Sequence, residues 1–178
     1  TIHAFRPVVS AILNITPDHL NRHHTMEAYI AAKEDIARNQ TEDDTCVLNY
    51  EDEVLRKFGE NIKAKVLYFS SRRKLNKGIY FEDGKLIYKD EKETVLCHVE
   101  ELQLLGMHNY ENICAAIAAT SSLVEPAIQS RAITKFKGVE HRLEFIREIN
   151  GVKWYNDSAS SSPSRTIAGL KAYDEDII

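Results

Sequence analysis

The sequence predicts an α/β fold: an incomplete parallel sheet flanked by helices, a small antiparallel β annex, and the start of a second α/β unit. Three observations predict it. Apolar, β-branched runs alternate with amphipathic helical stretches between residues 8 and 70. That strand, helix, strand, helix, strand order specifies a parallel sheet with right-handed crossovers. Residues 78–104 switch to period-two alternation around Asp83-Gly84, a strong hairpin turn. Asn150-Gly151 repeats the hairpin signal between two strand-like runs, ahead of a serine-rich turn and a helix.

The first strand is the run VVSAILNI, residues 8–15, short and β-branched enough to be buried. Asn14-Ile15-Thr16-Pro17-Asp18-His19 follows, with Thr16 placed to cap a helix and Pro17 at its first position. The strand thus delivers Asp18 and His19 to one sheet edge, and in open α/β sheets ligands collect at the carboxyl ends of strands. The next helix starts at Thr25, a good N-cap, with Glu27 complementing the dipole in the first turn. At helical spacing Met26, Tyr29, Ile30, Ile36 and Ala37 share a stripe with Lys33 near its centre, while Glu27, Glu34, Asp35 and Arg38 take the other face. A lysine there either lays its stem on the core and extends its head to water, or is paired, deprotonated or chemically modified.

Strands follow at 45–49 and 65–69 with a short helix at 51–58 between them, and a third annex strand is expected at 94–99. Gly106-Met107-His108-Asn109-Tyr110-Glu111-Asn112 leads into the helix ICAAIAATSSLV, whose Ile113, Ala116, Ile117 and Thr120 align on one face. Asn109 and Asn112 project from one side of its start, where asparagine caps helices or offers an amide to a ligand. Arg142, in the stretch 138–144, either pairs with Glu140 or Glu144 or serves as a phosphate fork. Strands at 143–149 and 152–155 flank Asn150-Gly151, and a helix is expected at 163–173 with Ser162 as its cap. The turn Asn156-Asp157-Ser158-Ala159-Ser160-Ser161 between them is either an anion site at a helix start or a flexible loop.

Composition excludes several classes. Of 178 residues, 43% are hydrophobic and 28% charged, with a net charge of −4, an ordinary globular balance. Basic residues are outnumbered and scattered, so neither nucleic acid nor an anionic membrane is an expected partner. No apolar run approaches the roughly 18 to 20 residues of a membrane span, and no signal peptide opens the chain. Cys46, Cys97 and Cys114 are odd in number and lack C-x-x-C spacing, which reads as reduced thiols of a cytoplasmic protein. Thr1 stands where an initiator methionine would be, and Asp176-Ile177-Ile178 reads as a strand barely begun, so the chain is expected to be a fragment of a longer polypeptide.

LNITPDHLNRHHTMEAYIAAK, residues 13–33, resembles the central-domain signature of the Mur ligases, the ATP-dependent amide-forming enzymes that build the peptidoglycan peptide stem. The resemblance implies that Lys33 carries a carbamate and that His19 is a metal ligand. Addition of CO2 would turn a cation into an anionic oxygen ligand suited to Mg2+. The G-x-H-N-x-x-N pattern of Gly106, His108, Asn109 and Asn112 resembles the family segment that meets the adenine of ATP. GVEHRLE, residues 138–144, resembles the junction between central and C-terminal domains, with Arg142 approaching ATP. The N-D-S turn followed by Pro163 and TIAGL most resembles the D-glutamate-adding branch, which implies that Asp157 meets the nucleotide ribose and Ser161 the amino-acid substrate. A lysine common at the position of Ala159 is missing, so that contact does not carry over.

The implied layout is a central ATP-binding domain over residues 1–136, with a partial P-loop-type sheet, and the beginning of a Rossmann-like C-terminal domain over 137–178. None of the seven glycines forms G-x-x-x-x-G-K-[ST], so the phosphate loop is expected upstream of Thr1. The implied reaction joins D-glutamate to UDP-N-acetylmuramoyl-L-alanine through an acyl phosphate, with ATP and Mg2+. Another Mur or folylpolyglutamate-type ligase shares the first motif but not the N-D-S turn. A carbamyl-lysine hydrolase would want an H-x-H pair, and a noncatalytic remnant is distinguished by the loss of the phosphate loop from its gene.

Overall fold

The computed structural model describes residues 3–17, 20–104, 106–161, 163–173 and 177. Its centre is a six-stranded sheet in the order β1 (Val9–Ile12), β2 (Thr45–Asn49), β3 (Lys65–Ser70), β4 (Gly78–Glu82), β5 (Lys85–Lys89), β6 (Glu93–His98). The first four strands pair in parallel and the last three antiparallel. The antiparallel strands expected as an annex are therefore present, but they extend the parallel sheet rather than standing beside it.

Side chains alternate between the two faces of the parallel strands, and both faces are covered. Val47, Leu67, Phe69 and Ile79 meet Ile113, Cys114, Ile117 and Ala118 of α4 (Met107–Thr120). Cys46 and Leu48 pack on the opposite side with Ile12, Ala37, Ala64 and Leu55 of α3 (Glu53–Gly59). On α4 the buried face includes Cys114 and Ala118 in place of the expected Ala116, which is exposed, because the helix presents its small residues to the sheet one position away from the predicted stripe.

The β3 to β4 connection is short for a parallel pair, which ordinarily needs a crossover of about a dozen residues. Here β4 starts beside the end of β3, with Phe69 opposite Ile79 and Ser70 opposite Tyr80, so residues 71–77 need only turn back over a small offset. Gly78 makes that approach possible. Its φ is +136°, and a Cβ at this position would lie 2.2 Å from the Tyr68 carbonyl oxygen.

Before the sheet's second strand lie α1 (Leu20–His23) and α2 (Met26–Glu34). The expected helix start at Thr16 and Pro17 is not formed: Pro17 lies in a bend and α1 begins later. After α4, α5 (Pro126–Lys135) opens with proline at its start, packs near β6 and anchors on α4 through Gln129 Nε2, which donates to the Ile117 carbonyl at 3.0 Å. The C-terminal part is a hairpin of β7 (Glu144–Ile149) and β8 (Val152–Asn156), followed by α6 (Pro163–Leu170). Asp83-Gly84 and Asn150-Gly151 both turn with two positive φ angles, as their hairpins require. Ser162, the expected cap of α6, lies outside the described residues.

Candidate functional site

Lys33 occupies the last turn of α2, whose start is capped as predicted: the Thr25 hydroxyl accepts from the Ala28 amide at 3.2 Å. The side chain is exposed, which corrects the expectation of a lysine central to a buried stripe. The reason is local. Helix α2 ends at Glu34 and the chain tightens into a 3-10 turn over Asp35–Ala37, so Ile36 and Ala37 leave the spacing of the wheel. Ala37 turns into the core at 7% exposure, while Lys33 stays at a rim with its Nζ 5.4 Å from the centroid of the Tyr29 ring. Ala11, Ile12, Leu13, Asn14, Lys33 and Ile36 line a cleft of about 320 Å³ there, at the carboxyl end of β1. The lysine is thus of the kind whose stem lines apolar surface and whose head reaches water.

His19 and its neighbour Asp18 lie outside the described residues. Among the described residues no cluster of three or more His, Cys, Asp or Glu side chains could hold a metal ion. A closed cage of the zinc type is therefore not formed by them. Mg2+ asks for less, since it binds through one or two protein oxygens and keeps water and phosphate for the rest. Lys33 and Asn14 line one open cleft.

The turn between β2 and α3 closes over the same strand end. Asn49, 4% exposed, donates from Nδ2 to the Leu13 carbonyl at 3.0 Å and accepts at Oδ1 from the Glu51 amide at 2.9 Å. Asp52 caps α3, its Oδ1 accepting from the Val54 and Leu55 amides, while Oδ2 accepts from the Ile15 amide at 2.7 Å. Sequence reasoning missed both residues. Asp52 ahead of a helical run was a visible N-cap signal, but its bond to Ile15 spans the fold.

His108, Asn109 and Asn112 all fall on α4. Gly106 occupies the N-cap position, and Asn109 and Asn112 stand within the helix. His108 and Asn109 are half-buried and Asn112 is exposed. Gly106, at φ +93°, lets this helix start lie against the C-terminal segment: a Cβ there would be 2.8 Å from the Ala172 Cβ. Between the asparagines, Glu111 accepts a hydrogen bond from Ser71 Oγ at 3.2 Å, tying α4 to the carboxyl end of β3. Beside that contact, burial raises the Glu51 carboxyl, but hydrogen bonds from Ser70 and Arg73, together with the charges of Arg73 and Arg72, bring it below its ordinary range.

The loops carrying Arg142 and Asp157 are joined. The Ala159 amide donates to the His141 carbonyl at 2.9 Å, and Asp157 Oδ1 accepts from the Leu143 amide at 3.2 Å. Asn156 Nδ2 lies 2.9 Å from His141 Nδ1, and Glu144 accepts from the His141 amide at 2.8 Å. Glu144 is thereby engaged with His141, and among the described residues Arg142 forms no ion pair and remains exposed. His141 and Leu143 hold φ of 66° and 45°, so the loop presents Arg142 from between two left-handed residues. Ser161 is exposed and lines a shallow depression with Ser160, Pro163, Thr166 and Ile167. The structure thus brings Arg142 and Asp157 together, sets the start of α4 against the C-terminal segment, and keeps Lys33 with the end of β1.

Residues 1–120 match the family model of the Mur ligase middle domain, and the chain belongs to the Mur ligase family. Among curated relatives, a protein of Lachnoclostridium phytofermentans is 55% identical over 97% of this chain, and one of Clostridioides difficile is 46% identical over 100% of it. Both are named UDP-N-acetylmuramoylalanine--D-glutamate ligase. The chain spans only 38% and 40% of their respective lengths. Two solved structures share the fold over most of the chain. The ligase MurF of Acinetobacter baumannii superposes with a TM-score of 0.73 at 19% identity, covering 93% of this chain and 36% of its own. UDP-N-acetylmuramate-alanine ligase MurC of Thermotoga maritima gives 0.67 at 24% identity, covering 94% and 38%.

Proposed function

We propose that this chain is part of an ATP-dependent ligase that adds D-glutamate to UDP-N-acetylmuramoyl-L-alanine in peptidoglycan synthesis. The observation that carries the reading is the 55% identity, over nearly the whole chain, to a relative named for that reaction. The separate hairpin sheet and α6 support a division into a central domain over 1–136 and the start of a C-terminal domain over 137–178. A nucleotide-linked substrate and three free cysteines, all buried, fit a cytoplasmic enzyme. Among the described residues no helix is long and apolar enough to cross a membrane.

In this reading His108, Asn109 and Asn112 meet the adenine of ATP, where side-chain amides match both donor and acceptor edges. Arg142 holds phosphate oxygens through a fork that never loses its charge, and Asp157 accepts from a ribose hydroxyl. Ser161 hydrogen-bonds the amino-acid substrate. Lys33, as a carbamate, and His19 hold Mg2+. When bound, Mg2+ supplies neutralisation of phosphate oxygens. An oxygen of the alanine carboxylate attacks the γ-phosphorus and ADP leaves. The free amine of D-glutamate then attacks the acyl carbon, phosphate departs and the nitrogen gives up a proton to form the amide. Arg142 and Asp157 sit on mutually bonded loops and so enter the site as one unit.

The test is phosphate release by the full-length protein with ATP, Mg2+, UDP-N-acetylmuramoyl-L-alanine and D-glutamate. Release that requires both acceptor and D-glutamate supports the reading, and release indifferent to D-glutamate contradicts it.

A further inference from the structure

We infer that Asn49 and Asp52 are positioning residues that clamp the segment 13–15 opposite Lys33, so that the turn between β2 and α3 sets the geometry of the Lys33 cleft. The inference rests on the reading of that cleft as the site of the carbamate and metal. Strand β1 ends at Ile12, and the next three residues belong to no helix or strand. No ladder partner therefore fixes them. Two side chains from another element do so instead: Asn49 Nδ2 donates to the Leu13 carbonyl at 3.0 Å, and Asp52 Oδ2 accepts from the Ile15 amide at 2.7 Å. These bonds bracket Asn14, which with Leu13 forms the wall of the cleft facing Lys33.

The clamp is itself rigid. Asn49 is buried and uses its second polar atom on the Glu51 amide, and Asp52 uses its other oxygen on two amides of the first turn of α3. Every bond is part-buried, where an unmatched donor or acceptor is costly. An asparagine and an aspartate three residues apart, one reading a carbonyl and the other an amide of one passing strand end, position backbone more tightly than either does alone. A cap for α3 alone would need neither Asn49 nor the second oxygen of Asp52.

Two variants of the full-length protein separate clamp from cap. Serine caps helices about as well as aspartate but has one short acceptor, so Asp52→Ser keeps α3 and releases Ile15. Asn49→Asp keeps the acceptor for Glu51 and loses the donor to Leu13. The expected results are amide exchange at Ile15 faster by roughly tenfold in Asp52→Ser, as loss of one such bond implies. Both variants should need roughly tenfold more labelled bicarbonate to give the Lys33 carbamate signal, and kcat should fall by a similar factor. The KM for ATP should stay within about twofold, because the residues assigned to the nucleotide lie on α4 and the C-terminal loops. Lowered thermal stability with wild-type kcat and a wild-type Lys33 signal would show that both residues are merely structural. If the wild-type protein gives no carbamate signal, the reading of the cleft fails, while Ile15 exchange and the split between kcat and KM still decide the clamp.

Discussion

Replacing Gly78 by alanine should be among the most damaging single-methyl additions to this chain. The backbone there has φ +136°, and holding an L residue in so sparse a region costs about 1–3 kcal/mol. The added Cβ would also sit 2.2 Å from the Tyr68 carbonyl oxygen and 3.0 Å from Leu75 Cδ1. Neither neighbour gives easily, since the first is backbone of β3 and Leu75 is 5% exposed, so overpacking adds about 1–3 kcal/mol. The sum, about 2–6 kcal/mol, is a large part of the roughly 5–15 kcal/mol that holds a domain together. Gly84→Ala is the control: it has positive φ as well, but a Cβ there meets nothing within 4 Å. Urea unfolding of the 178-residue chain at constant m gives both values. If Gly78→Ala costs no more than Gly84→Ala, the close approach of β3 and β4 is not what the glycine serves.

Further outcomes follow from the same packing and charges. Leu55→Ala empties a fully buried position beneath β2 and should cost about 2–5 kcal/mol by denaturant unfolding, with a value below about 1 kcal/mol arguing against a tight layer there. Hydrogen bonds from Lys89, Lys74 and Tyr80 hold Glu93 down to about 2, below its ordinary 4.5. A depressed carboxylate stabilises the fold above its unfolded pKa and loses that contribution as pH falls from about 4.5 toward about 2. The melting-temperature gap between wild type and Glu93→Gln should therefore close over that interval, and a gap independent of pH would contradict the network. In the full-length enzyme Lys33→Arg should abolish both the labelled-bicarbonate signal and turnover, whereas normal turnover would exclude the carbamate. The 178-residue chain alone should release no phosphate in response to D-glutamate, because donors around the β and γ phosphates come mainly from a phosphate loop it does not carry.

What could be read in advance followed local chemistry. Asp83-Gly84 and Asn150-Gly151 announced their hairpins because few other dipeptides accept two positive φ angles, and Thr25 announced α2 because a hydroxyl there satisfies an otherwise open amide. The alternating strands of the core were legible for the same reason. Lys33 is exposed rather than central to a buried stripe, and the helix gives way to a 3-10 turn at Asp35, a change of spacing to which a helical wheel is blind. The joining of β4 to the parallel strands turned on one close contact of Gly78 with residue 68. Helix α5 carried its own signal in Glu125-Pro126, proline at a first helical position. Asn49 and Leu13 are 36 residues apart, and no spacing rule pairs a side chain with a distant carbonyl.

The site divided along the same line. The arrangement of Arg142 and Asp157 was approached through motifs, but the bonds between their loops, such as Ala159 to His141, exist only in three dimensions. Arg142 is exposed, and Glu144, one of its two expected ion-pair partners, instead accepts from the His141 amide. Gly106, rather than either asparagine, holds the N-cap position of α4.

The central claim is tested most directly by the identity of the product. Full-length protein would be incubated with ATP, Mg2+, UDP-N-acetylmuramoyl-L-alanine and an equimolar mixture of D-glutamate, L-glutamate, L-lysine and meso-diaminopimelate, and the nucleotide-linked product weighed by mass spectrometry and its amino acid resolved by chirality. The account predicts one product, extended by a single D-glutamate residue. A product carrying any other amino acid, or none at all, would contradict it.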